Sequence, residues 1–229
     1  DVLGSRGLGD VYKRQDVYRL GERELAILTK DGVTVINSYG ERVNCVYKHI
    51  DWDASAAEKC GYPHFMIKEI MEQPEAIAKT IAPRISNGRI ELGFKHITAE
   101  MLKKVNSIKI IGCGSAYHVG FVAGYFMRAA LRIPVESVLA SEFRYDDPIV
   151  DENTLAIVIS QSGETLDTLY GLREAKKHGA KTIAIVNVVG STIANESEDV
   201  LYTWAGPEIA VATTKAYSTQ LVLIHLLML

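Results

Sequence analysis

Cysteine is scarce in this 229-residue chain, and its three copies, Cys45, Cys60 and Cys113, are odd in number and lack metal-ligand spacing. That excludes a disulfide framework and suits a reducing cytosol. Neither charge sign dominates: 25 Lys and Arg stand against 28 Asp and Glu, a formal net charge of -3 with mixed signs throughout. No basic footprint is present for nucleic acid or for an anionic lipid surface. Long apolar runs are missing as well. The strongest starts at Leu221 and is interrupted by His225, far short of the roughly 20 residues a bilayer needs. No secretory leader pattern is visible. A cytoplasmic protein with no membrane and no nucleic-acid partner is expected. What is there, 48% hydrophobic and 23% charged residues, is ordinary globular usage with room for one large domain or two small ones.

The most informative stretch is Ser160-Gln161-Ser162-Gly163-Glu164-Thr165. Thr154 to Ile159, just upstream, is a β-branched apolar run of the kind that makes a strand buried on both faces. Downstream, Leu166, Leu169, Tyr170, Leu172 and Arg173 recur at helical spacing up to Gly179. The six residues are therefore a strand-to-helix turn carrying three hydroxyls, an amide and a glycine. A helix N-terminus offers unpaired N–H groups and the positive end of the dipole, so anions settle there. Ser160, Ser162 and Thr165 add hydroxyl donors, and Gly163 lets the backbone approach closely. With no Lys or Arg in the turn, a small, well-held phosphate fits better than a polyanion. The bland alternative is a Ser/Thr-rich helix cap.

Asp1 to Gln15 carries Gly4, Gly7 and Gly9 without an apolar period, and a disordered or non-native leader is expected there. From Leu25 to Tyr47 short β-rich runs alternate: Ala26–Thr29, Val33–Ile36 and Val43–Tyr47, the first two joined through Lys30-Asp31-Gly32. Asp-Gly between such runs signals a hairpin, so an antiparallel meander is expected. Three strands bury little by themselves, so they would belong to a larger sheet. Glu58 to Asn87 reads as helix in two pieces split by Pro74, with Glu69, Glu72 and Glu75 on polar faces and Phe65, Ile70, Ile77 and Ile81 turned inward. From Ala216 the chain is strongly apolar to Leu229 with no capping signal. A helix made for burial, severed before its packing partners, is expected there.

From Asn106 onward strands and helices alternate. Ser107–Ile111, Val135–Leu139, Leu155–Ile159, Lys181–Val186 and Val200–Tyr202 read as strands, with helices over Ser115–Leu131, Leu166–His178 and from Thr214. That is the pattern of an α/β fold, a parallel sheet with helices on both faces. Ligands of such sheets sit past the carboxyl ends of the strands. Three loops share that edge: Gly112–Ala116, the serine-rich turn, and Val211–Lys215. Gly112 and Gly114 also suit a dinucleotide turn, but Tyr117 stands where that spacing needs glycine, and no cofactor is expected. Cys113 has only His118 within reach as a base, so a structural cysteine is the better reading.

Gly112-Cys113-Gly114-Ser115-Ala116-Tyr117-His118, the serine-rich turn through Thr168, and Glu208 to Tyr217 together resemble the first sugar-isomerase (SIS) domain of the glutamine–fructose-6-phosphate aminotransferase family. Gly61 to Pro74 is similar to that family's join between glutaminase and isomerase domains. The resemblance covers Asp16 to Leu229. It implies a tail of an N-terminal-nucleophile glutaminase domain over 16–60, a helical connector over 61–104, and a truncated first SIS domain over 105–229.

On the same resemblance, Ser160, Gln161, Ser162 and Thr165 hold a substrate phosphate, while Ser115 and the Val211 backbone contact the sugar chain. Ala116 departs from a serine found in some members. The ligands implied are fructose 6-phosphate and glucosamine 6-phosphate, and SIS domains tend to pair as homodimers. The family's cysteine nucleophile, imine lysine and acid–base glutamate have no counterparts in this chain, so no catalytic residue is expected here and Lys215 is assigned a structural role. Alternatives of the same fold are an SIS deglycase or sugar isomerase, and a non-catalytic phosphosugar-sensing module.

Overall fold

The computed structural model describes residues 16–18, 20–49 and 58–229, and the chain forms two compact units that meet at Pro63 and His64. In the first unit Leu25–Thr29 (β2) and Gly32–Ile36 (β3) pair antiparallel about Lys30-Asp31, as the Asp-Gly signal predicts. The strand expected over Val43–Tyr47 does not form. Past β3 a bridge from Ile36 to Arg42 and bonds from Asn37 N to Glu41 O at 3.0 Å and from Val43 N to Val35 O at 2.8 Å extend the ladder. Val46 and Tyr47 stand exposed, so pairing at that end of the run would bury little. Asp16–Val17 (β1) pairs instead with Lys48–His49 (β4). The leader expected over 1–15 lies outside the described residues.

The second unit opens with helices Phe65–Met71 (α1) and Gln73–Ile81 (α2). Lys59 to Tyr62 is a turn rather than the start of a helix. The break falls at Glu72, and Pro74 sits in the first turn of α2, where its missing N–H costs nothing. The helix also ends earlier than Asn87. A 3-10 turn at Ala82–Arg84 leads into the hairpin Ile85–Ser86 (β5) and Arg89–Ile90 (β6), turned on Asn87-Gly88 with φ of 51° and 73°. The polar-face assignment is reversed along α1: Glu69 is buried and Ile70 is exposed. A short helix, Ala99–Leu102 (α3), is capped by Thr98 Oγ1, which accepts from Met101 N at 3.3 Å.

The sheet comprises Ser107–Gly112 (β7), Val135–Leu139 (β8), Thr154–Ser160 (β9), Lys181–Val186 (β10) and Asp199–Tyr202 (β11), all parallel, in the order β11-β10-β9-β7-β8. Side chains of β9 alternate across it. Leu155, Ile157 and Ile159 join Ile110, Ile185 and Leu201 beneath helices Gly114–Leu131 (α4) and Lys215–Met228 (α8). Ala156 and Val158 join Ile111 and Val186 beneath Ala140–Phe143 (α5), Leu166–Lys177 (α6) and Thr192–Glu196 (α7). Both faces are covered, which is why β9 is buried at every position. Close approach of α4 requires Gly120, where a Cβ would lie 2.6 Å from Ser137 Oγ and 2.8 Å from Ile110 Cγ2. Helix α8 is not left uncovered as expected from its composition: Leu223, Ile224 and Leu226 are buried in the core it shares with α4.

Candidate functional site

Strand order places a switch point between β7 and β9, because the chain leaves β7 for β8 on one side and enters β9 on the other. Helices that follow those two strands diverge to opposite faces, opening a crevice at the carboxyl edge where α/β sheets take ligands. The turns Gly112–Ser115 and Ser160–Thr165 flank it. Gly112 pairs in register with Ile159, and Thr168 Oγ1 donates to Cys113 Sγ at 3.8 Å, so the two turns adjoin. Cys113 packs against the core and serves the fold. His118 Nδ1 lies 2.9 Å from Gly114 O within its own helix.

The serine-rich turn is shaped from inside. Ser160, 2% exposed, accepts from Gly163 N at 3.0 Å and shares a 2.9 Å bond with Thr165 Oγ1. That pair holds two hydroxyl protons and uses one internally, leaving the other for a ligand. Ser162 Oγ accepts from Glu164 N at 3.2 Å. Gly163 adopts φ of +66°, and a Cβ there would meet Ser191 Oγ at 2.0 Å, so glycine is required by both conformation and space. Thr165 enters α6 without a side-chain cap bond. Gln161 Nε2 and Ser191 Oγ are buried and have no hydrogen-bond partner among the described residues. A buried donor in that condition costs free energy unless a ligand or water completes it.

Neighbouring loops lock the turn in place. Glu164 takes Thr192 N at 2.8 Å and Thr192 Oγ1 at 2.6 Å, while Ile193 N donates to Gly163 O at 3.0 Å. Asn187, just past β10, donates its N–H to Gln161 O at 3.0 Å. Its side chain accepts from Thr203 Oγ1 at 2.8 Å and Ala205 N at 3.0 Å, and donates to Gly206 O at 2.7 Å. One residue thus ties the serine-rich turn to the loop that follows β11.

That last loop is suspended on carboxylates. Glu208, buried, accepts from Thr214 N at 2.8 Å, Ala216 N at 3.2 Å and Thr213 Oγ1 at 2.8 Å, capping α8. Lys215 is buried and paired with Glu72 Oε2 at 2.6 Å, which gives it a structural partner and no open substrate face. Thr80 bonds Thr203 O, and Arg84 donates to Tyr202 O at 2.6 Å. Burial pushes the Arg84 guanidinium below its usual pKa. Val211 is wholly exposed at the crest of the loop, and Ser115 is exposed at the start of α4. Ser160, Gln161, Ser162 and Thr165 are therefore in one turn, Ser115 is on the adjoining turn, and Val211 lies on a third loop tied to the first through Asn187. Among the described residues no group of three or more His, Cys, Asp or Glu could hold a metal.

Such an arrangement, a parallel sheet with a hydroxyl-lined turn at its switch point, is the architecture of the SIS domain. The model of that family matches residues 101–229, more than half of the chain, which belongs to the SIS domain family. The chain is 54% identical, over 94% of its length, to the glutamine–fructose-6-phosphate aminotransferase (isomerizing) of Clostridium tetani, and 53% identical over 93% to that of Clostridium acetobutylicum. It spans only 36% and 35% of those two relatives, about a third of their length. Among solved structures, the C-terminal domain of glucosamine-fructose-6-phosphate aminotransferase from Francisella tularensis superposes with a TM-score of 0.71 at 42% identity, covering 75% of this chain and 48% of that one. No helix among the described residues is long and apolar enough to cross a membrane.

Proposed function

We propose that the turn Ser160–Thr165 seats the phosphate of fructose 6-phosphate, with Ser160, Gln161, Ser162 and Thr165 as donors, and that Ser115 and the Val211 main chain face the sugar carbons. The parent reaction converts fructose 6-phosphate and glutamine to glucosamine 6-phosphate and glutamate. This chain supplies the phosphosugar-binding part, with 16–60 as the tail of the glutaminase domain, 61–104 as connector and 105–229 as SIS domain. It works in the cytoplasm as a homodimer paired through SIS faces. One observation carries the reading: the buried, unpartnered Gln161 Nε2 beside the hydroxyls of the switch-point turn. The names of the relatives support the choice of sugar phosphate.

Chemically, the residues present can bind and orient. Neutral donors and the α6 N-terminus compensate a dianion without a bulky cation, which leaves the sugar end free to move between open-chain and ring forms. The groups that the resemblance assigns to glutamine hydrolysis and imine formation are not among these 229 residues, so turnover belongs to the larger protein. Replacement of Ser162 by Ala in the full-length protein tests the reading. Fructose 6-phosphate affinity is expected to fall by about 1–3 kcal/mol, the range for a lost bond to a charged group. Glutamine hydrolysis without sugar is expected to stay level, and equal sugar affinity in variant and parent would show that the turn is only a helix cap.

A further inference from the structure

Glu69 is a carboxylate that the helical pattern assigns to solvent, yet it is 2% exposed. Its Oε1 accepts two successive main-chain donors, Ile209 N at 2.6 Å and Ala210 N at 3.1 Å, and its Oε2 is buried without a hydrogen-bond partner among the described residues. Burial of a carboxylate is tolerated only where donors compensate it, so this contact is a fixed feature of the fold. Two consecutive N–H groups converging on one oxygen form an anion cup that sets the backbone angles of the residues carrying them. The loop between β11 and α8 is pinned elsewhere by Asn187 at Gly206, by Glu208 at Thr214 and Ala216, and by the Lys215–Glu72 pair. Among the described residues no side chain pins the Val211 peptide itself, and the Val211 side chain is fully solvated. The nearest restraint on the Val211 peptide is the clamp on the two residues before it.

We infer that Glu69 is a positioning residue: it orients the Ile209–Val211 main chain toward the sugar end of the ligand, and so sets preference for a hexose phosphate over phosphate alone. The inference rests on the reading that the Val211 main chain faces the sugar. It places a selectivity determinant on α1, outside residues 101–229 matched by the SIS model. The serine-rich turn has its own supports in Glu164, Ser160 and Asn187, and its tie to the clamped loop runs through Asn187 to Gly206, ahead of Ile209, so loss of the clamp acts first on the sugar end.

Full-length protein carrying Glu69→Ala, and separately Glu69→Asp, tests this with two readouts. The first is amide hydrogen exchange over peptides covering 207–213. The second is calorimetric affinity for fructose 6-phosphate and, in parallel, for inorganic phosphate. Glu69→Ala is expected to raise exchange at Ile209 and Ala210 and to weaken fructose 6-phosphate on the order of 10-fold, with inorganic phosphate within about twofold. Glu69→Asp keeps the charge but withdraws the acceptor by one methylene, and the same selective loss is expected should the alanine variant fail to fold. Unchanged exchange, or equal losses for both ligands, would overturn the inference and leave Glu69 as a support of the fold alone. A parent protein that binds inorganic phosphate but not fructose 6-phosphate would instead refute the function proposed above, and the exchange readout would still decide whether the clamp orders the loop.

Discussion

Replacing Gly163 with Ala strikes the site at its narrowest point. Two separate costs can be read from the structure. The residue sits at φ of +66°, where an L side chain costs about 1–2 kcal/mol. A Cβ would also lie 2.0 Å from Ser191 Oγ and 2.6 Å from Ser191 Cβ, so the Ser191 backbone itself must shift. Overpacking of that kind costs about 1–3 kcal/mol. Together the loss is about 2–5 kcal/mol, or on the order of 5–15 °C in Tm for a unit of this size. Movement of Ser191 also breaks the seam that Ile193 N makes with Gly163 O, so sugar phosphate affinity falls with stability. Calorimetric unfolding and ligand titration on Gly163→Ala, Ser191→Gly and the double variant separate the two costs. Ser191→Gly clears both close contacts and recovers the steric share, leaving the left-handed share of about 1–2 kcal/mol, so a coupling energy of about 1–3 kcal/mol is expected between the sites. Strictly additive effects, or Gly163→Ala with unchanged Tm, would refute the reasoning.

Lys215→Ala is expected to destabilise by about 1–3 kcal/mol in urea unfolding, since it removes a buried charged donor from Glu72, which keeps Lys68 at 3.5 Å. Borohydride in the presence of fructose 6-phosphate is expected to leave Lys215 unmodified, as judged by peptide mass. Glu208→Ala uncaps α8 by removing the acceptor of Thr214 N and Ala216 N, and a loss of about 1–2 kcal/mol in chemical denaturation is expected.

The parallel sheet was legible because its strands are buried on both faces. Continuous runs such as Leu155–Ile159 and Thr182–Val186 have no competing helical reading once glycine and serine turns bound them. The four- and five-residue helices α5 and α7 carry too few turns to show a period, and they are visible only through Phe143 and Ile193 filling the core under the sheet. Burial of Glu69 and exposure of Ile70 were opposite to pattern because a tertiary contact with a loop far along the chain decides which face of α1 is inside. The Asn87-Gly88 hairpin was readable in principle, since Asn-Gly is a strong turn signal, but it was absorbed into the helical run before it. Within the site, the donors were evident from their own turn. Glu164, Asn187 and Ser191, which shape that turn, were not. Of these, Asn187 could have been found by asking which polar residue follows the apolar run of β10, because every such position lies on the ligand edge of a parallel sheet.

The central claim is that a phosphosugar is seated by the Ser160–Thr165 turn. A crystal structure of the full-length protein with fructose 6-phosphate tests it most directly. The account predicts phosphate oxygens at hydrogen-bond distance, about 2.6–3.2 Å, from Gln161 Nε2 and from the hydroxyls of Ser162 and Thr165, with the sugar carbons extending toward Ser115 and the Val211 main chain. Phosphate held elsewhere, with Gln161 Nε2 still unpartnered, would contradict it.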